Sequence, residues 1–196
     1  MILKLYKLLD EIRRNMNALA RVSLVMFLTG CAASSEVEKM PVAPVVPANL
    51  SVTSAENLVT EAMASGVQIY TCSVSKKDPQ HYEWVFTAPE ADLYDRAGHR
   101  IGRHYAGPTW EASDGSKVVG QIKGREDGPD TNAIQWLLLK ATSHAGNGLF
   151  SNAESIQRIN TAAGKAPTYG CDHAQLGHEA KMDYRATYYF YAAKSN

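Results

Sequence analysis

Asp183-Tyr184-Arg185-Ala186-Thr187-Tyr188-Tyr189-Phe190-Tyr191 sets five aromatic side chains in nine residues. Side chains alternate faces along a strand, so Tyr184, Tyr188 and Phe190 fall on one face and Tyr189 and Tyr191 on the other. A strand with large apolar groups on both faces lies centrally in a sheet or packs its second face against another layer.

Upstream, short alternating runs recur about every ten residues, as expected of antiparallel β structure. The expected strands are Leu58 to Met63, Val67 to Val74, Tyr82 to Thr87, Lys117 to Lys123, Ile134 to Thr142 and Tyr184 to Tyr191. Turn chemistry is read at Ser65-Gly66, Ala97-Gly98, Asp114-Gly115, Gly146-Asn147-Gly148 and Gly164. Residues Ala153 to Ala163 fit either a short helix or a strand. The expected fold is all-β and mainly antiparallel, a single sandwich or barrel-like domain over 50–196 with little helix apart from an N-terminal signal.

Residues 1–30 read as a signal segment. The apolar run after Arg21 is far shorter than the roughly 20 residues that span a bilayer, and it ends in Leu28-Thr29-Gly30-Cys31. That ending resembles the lipobox of bacterial lipoproteins, which implies lipid, palmitate included, on Cys31 and a membrane partner through it. Asp10 and Glu11 suit a signal's basic start poorly, so Met16 is the expected initiator. Residues 31–49, with prolines at 41, 44 and 47, read as a tether; at about 3.1 Å per residue it reaches on the order of 50 Å. The expected location is the bacterial cell envelope, on the outer membrane facing the periplasm or the surface.

Twenty basic and twenty acidic residues balance over the whole chain; removal of residues 1–30 leaves 15 basic and 18 acidic. No basic stripe stands out, so nucleic acid is not an expected partner. With Cys31 lipidated, Cys72 and Cys171 remain, and export makes a disulfide between them the favoured reading over two thiols or a metal pair.

Several segments resemble an uncharacterised family, domain of unknown function 3455. They are Gly66 to Cys72, Ala88 to Asp95, Ala106 to Ser116, Trp136 to Lys140, the Tyr-Gly-Cys-Asp at 169–172 and the terminal Tyr-Tyr-Phe-Tyr. The resemblance implies a compact exported domain with cysteines 72 and 171 in matching segments, and it implies no activity. Some fungal relatives carry a dehydrogenase label, but this chain has no G-x-G-x-x-G after a strand.

Candidate chemistry is sparse. No G-x-S-x-G elbow is present, and His178-Glu179 lacks the second histidine of H-E-x-x-H. Asp172, His173 and His178 form the best metal grouping, with His104 as a distant fourth. Within Gly107-Pro108-Thr109-Trp110-Glu111, a stiffened turn could present Trp110 beside Glu111, and Trp84 could extend an aromatic platform. His104 and Glu111 are the candidate acid and base of an enzyme. Asp114 and Asp127 could meet calcium but read as turn residues. The leading expectation is a non-enzymatic binding or interaction module for a small molecule, glycan or envelope protein, with no cofactor. The alternatives are a metal-dependent enzyme and a purely structural component.

Overall fold

The computed structural model describes residues 41–194. Eight strands run β1 (Glu56–Val74), β2 (Tyr82–Tyr94), β3 (Arg100–Tyr105), β4 (Thr109–Ala112), β5 (Lys117–Glu126), β6 (Trp136–Ala145), β7 (Ser155–Ala163) and β8 (Glu179–Ala193). Each pairs antiparallel with its sequence neighbours, and β1 pairs with β8, so the sheet is a closed barrel rather than a sandwich. The signal segment at 1–30, the lipidation at Cys31 and the start at Met16 lie outside the described residues, as does most of the tether.

The expected break at Ser65-Gly66 does not occur. Leu58 to Met63 and Val67 to Val74 are one strand, and Gly66 lies within it, opposite Ala91 on β2 and Tyr184 on β8. A Cβ at Gly66 would stand 2.1 Å from the Glu90 carbonyl oxygen and 2.4 Å from the Ala91 Cα. Here glycine permits close approach of neighbouring backbone in a curved wall and makes no turn. Ala153 to Ala163 holds a strand, and β3 and β4 are short strands that the alternation had not disclosed.

β8 faces the interior with Tyr184, Ala186, Tyr188 and Phe190, all buried. Its outward Tyr189 and Tyr191 are also buried, because Ile159, Val46, Val52, Leu58 and Trp136 pack over them. The second layer expected from the aromatic strand is therefore partly the chain ahead of β1. A one-turn 3₁₀ helix at Ala48–Leu50 straps that segment down. The Asn49 amide donates to the Arg125 carbonyl and the Glu126 carboxylate, and Gln157 Nε2 donates to the Leu50 carbonyl at 2.7 Å. Leu50 is fully buried.

One end of the barrel is plugged by Phe150, whose ring lies 4.4 Å from that of Phe190. The Asp114 carboxylate accepts from the Ser116 amide and hydroxyl and from the Leu149 amide, tying two turns beneath the plug. At the other end β1, β2 and β8 run on past the short β3 and β4. Thr87 is an extra residue in β2 opposite Ile69/Tyr70, a bulge that bends this extension. The expected disulfide is present, Cys72 to Cys171 across a Cα–Cα distance of 5.3 Å. It pins the β7–β8 connection to the extension, where Trp84 Nε1 also donates to the Tyr169 carbonyl. With a sequence separation of 99 between the cysteines, the chain-entropy model assigns the bridge roughly 4 to 5 kcal/mol.

Gly66→Ala is expected to cost about 3 kcal/mol, the upper end of overpacking penalties, because the added methyl meets backbone on the neighbouring strand. Urea unfolding of the two proteins checks this, and an unchanged midpoint would refute the close-approach role.

Candidate functional site

Between the plugged end and the open end, the barrel interior forms a partly open cavity of about 210 Å³. Trp110, His104 and Tyr188 form one wall; Ile122, Leu137 and Leu139 form another; Arg158 reaches in from β7. Phe86, Pro89, Gly107 and Pro108 border it toward the open end.

The aromatic wall follows from strand alternation and register. His104 on β3 is paired with Trp110 on β4, so both side chains enter the same face. Their rings stack at 4.4 Å and 12°, and Tyr188 meets His104 edge-on at 5.1 Å and Trp110 at 5.4 Å. Thus Trp110, which the turn was expected to hold outward, is 1 % exposed. It forms no surface platform with Trp84, which lies half-buried on the extension of β2 near the disulfide.

His104 Nδ1 lies 2.9 Å from the Thr109 carbonyl oxygen and donates to it, which leaves Nε2 as an acceptor. Burial drives the His104 pKa down to about 3; the Thr109 bond opposes the shift and the Arg158 charge adds to it. The ring is neutral at physiological pH and a poor base.

Glu111 occupies the opposite face of the barrel wall. Its carboxylate accepts from Tyr105 Oη at 2.8 Å and from Arg103 at 2.9 Å, with Lys117 Nζ at 3.3 Å, and the tyrosine bond foremost holds its pKa below the usual value. The strand pleat therefore separates His104 from Glu111, and the expected acid/base pair is not assembled.

The expected metal grouping is not assembled either. Asp172 caps a single 3₁₀ turn, accepting from the Ala174 and Gln175 amides. The His173 ring packs edge-on against Tyr82, and His178 joins the β1 backbone through the Cys72 amide. Among the described residues no three His, Cys, Asp or Glu side chains converge as a metal site. Asp127 accepts from Gln135 Nε2, and Asp114 serves the turn contacts already given.

Sequence reasoning missed Arg158, Tyr184, Tyr188 and Gln68 as interior polar groups. Arg158 Nε and Nη2 donate to the Gln135 carbonyl at 3.2 and 2.8 Å. The Tyr184 and Tyr188 hydroxyls, Gln68 Nε2 and Trp110 Nε1 are fully buried without a well-formed hydrogen bond; the Tyr184 hydroxyl leans on Tyr188 and Gln68, and that of Tyr188 also on Arg158. Burial raises both tyrosine pKa values, and for Tyr184 the neighbouring Tyr188 adds to the rise. Once β7 is known, alternation alone would have placed Arg158 inward beside Ile156.

A family described as a protein of unknown function (DUF3455) matches the chain over residues 53–192. No curated protein and no solved structure matches it.

The neutral His104 makes stability depend on pH. Its pKa is about 3 folded against an ordinary 6.5, so the unfolded chain binds the extra proton between those values. Stability from this group is intact above 6.5 and falls as pH drops toward 3, by up to about 1.4 kcal/mol per pH unit. His104→Gln should lose that component: in urea unfolding, the fall in stability from about pH 7 to 4.5 shrinks by about 2 to 3 kcal/mol. An unchanged fall would assign it to other groups.

Proposed function

Because the chain belongs to the domain of unknown function 3455 family, to which no activity attaches, we propose a function from the barrel itself. The protein is an exported, lipid-anchored, non-enzymatic module that takes up a small, largely apolar molecule inside its barrel. The cavity of about 210 Å³ carries the reading. A well-filled barrel of this strand number has an interior just wide enough for side chains, and some hold one small ligand. Here the half nearer Phe150 is filled, while the half beneath the β3–β4 turn is walled by aromatic and aliphatic groups around space. Engineered apolar cavities of about 150 Å³ admit benzene, so one ring or a short branched chain is the matching size.

Two further observations support it. Reactive pairs are kept apart, with a neutral His104 inside and an ion-paired Glu111 outside. Outward positions are clothed in charge: Arg96 pairs with Glu61, Arg100 with Asp92 and Lys181 with Glu90. Such a wall suits contact with water and differs from the apolar outer band of a membrane barrel.

The address rests on the sequence. Lipid on Cys31 and the residues between it and the strap hold the barrel off a bacterial membrane, on the outer membrane facing the periplasm or the surface. The Cys72–Cys171 bridge suits that oxidising setting.

Calorimetric titration with indole and benzamide tests the interior. Binding is expected to the parent and to be at least tenfold weaker in Ile122→Trp, which brings a larger side chain into the cavity wall. No binding to the parent, or equal binding to both proteins, would overturn the interior reading. For the address, Cys31→Ser should fail to incorporate labelled palmitate and should leave the membrane fraction. A variant that stays labelled and membrane-bound would refute lipidation at this residue.

A further inference from the structure

The barrel interior holds a guanidinium with no carboxylate partner and several buried donors that make no well-formed hydrogen bond. Arg158 reaches the cavity half-buried, and its charge acts on His104, Tyr184 and Tyr188. Two of its nitrogens share a single neutral acceptor, the Gln135 carbonyl. A guanidinium carries five N–H donors, so donor capacity remains. Among the described residues no carboxylate pairs with Arg158, whereas the outer-wall arginines at 96, 100 and 103 each have one.

The buried groups around it lean the same way. Gln68 Nε2 and Trp110 Nε1 can only donate and the Tyr184 and Tyr188 hydroxyls can donate; none makes a well-formed hydrogen bond, Gln68 and Tyr188 leaning on the Tyr184 hydroxyl and Arg158 on that of Tyr188, while Trp110 Nε1 meets nothing. Leaving a buried donor without a good acceptor destabilises the fold. Water could satisfy the hydroxyls, but it would not neutralise the guanidinium. An anion does both, and a carboxylate matches the planar fork of arginine with two parallel hydrogen bonds.

Resting on the interior-cavity reading, we propose that the molecule taken up is a small organic acid: an apolar body against Trp110, Leu137 and Leu139, and a carboxylate on Arg158 with Tyr188 donating beside it. His104 stays neutral and contributes a flat face to the wall. The lining of the cavity includes no Asp or Glu side chain to repel the acid.

Benzoate and its neutral isostere benzamide, titrated calorimetrically into the mature protein, test this. Benzoate is expected to bind at least tenfold more tightly. Arg158→Gln should erase that preference and leave benzamide binding in place. Tyr188→Phe keeps the ring packing and removes only the hydroxyl; it should weaken benzoate several-fold and benzamide little, so the test stands even where the arginine variant fails to fold. Equal affinity of the parent for both probes would overturn the anionic head and leave the interior site standing. A benzoate preference that survives in Arg158→Gln or is untouched in Tyr188→Phe would place the anion elsewhere and overturn the proposal. Binding of neither probe would overturn the interior site itself.

Discussion

The antiparallel pairing of β1 with β8, from Glu56 opposite Ala193 to Thr71 opposite Glu179, turns a row of hairpins into a barrel. Closure leaves no sheet edge along that seam, and it fixes the volume that inward side chains must fill. Every other feature depends on that volume. Small groups line the β1 and β2 wall at Ala62, Ala64, Gly66 and Ala91, so the bulk comes from the other strands, from β4, β6 and β8, and from Phe150. Those large groups fill one end and leave space at the other.

That remaining space is polar in a particular way. Trp110, His104 and Tyr188 satisfy one another by stacking and edge contacts, which need no hydrogen bonds. Their polar atoms are poorly matched: His104 Nδ1 donates to Thr109, Trp110 Nε1 finds no protein partner, and the Tyr188 hydroxyl only leans on Tyr184 and Arg158. Together with Arg158 they make an interior that offers donors and little acceptance. Outside the wall the same strands carry compensated charge, so the sheet separates two different electrostatic settings about one side chain apart.

The strap ahead of β1 and the disulfide act at different places on this shell. The strap covers Tyr189, Tyr191 and Gln157, outward groups that would otherwise expose apolar surface. The bridge holds the β7–β8 connection against the long β1–β2 hairpin, near the rim of the open end. One fastening protects the wall and the other steadies the opening.

The sequence by itself determined the β class, the aromatic strand with both faces buried and the pairing of Cys72 with Cys171, because period-two alternation, aromatic content and cysteine count are local properties. It misread Gly66 as a turn, since a glycine required by an approaching strand looks the same along the chain as one required by a positive φ. It could not decide Ala153 to Ala163, where Ile156 and Ile159 suit a helix spacing; only the strap over Gln157 and Ile159 and the core under Ile156 make both faces apolar. Tertiary structure alone decided barrel over sandwich, since β1 meets β8 across the whole length of the domain. It alone sent Trp110 inward and Glu111 outward, and it alone gathered Arg158, Tyr184, Tyr188 and Gln68, residues on three strands that come together only when the sheet closes.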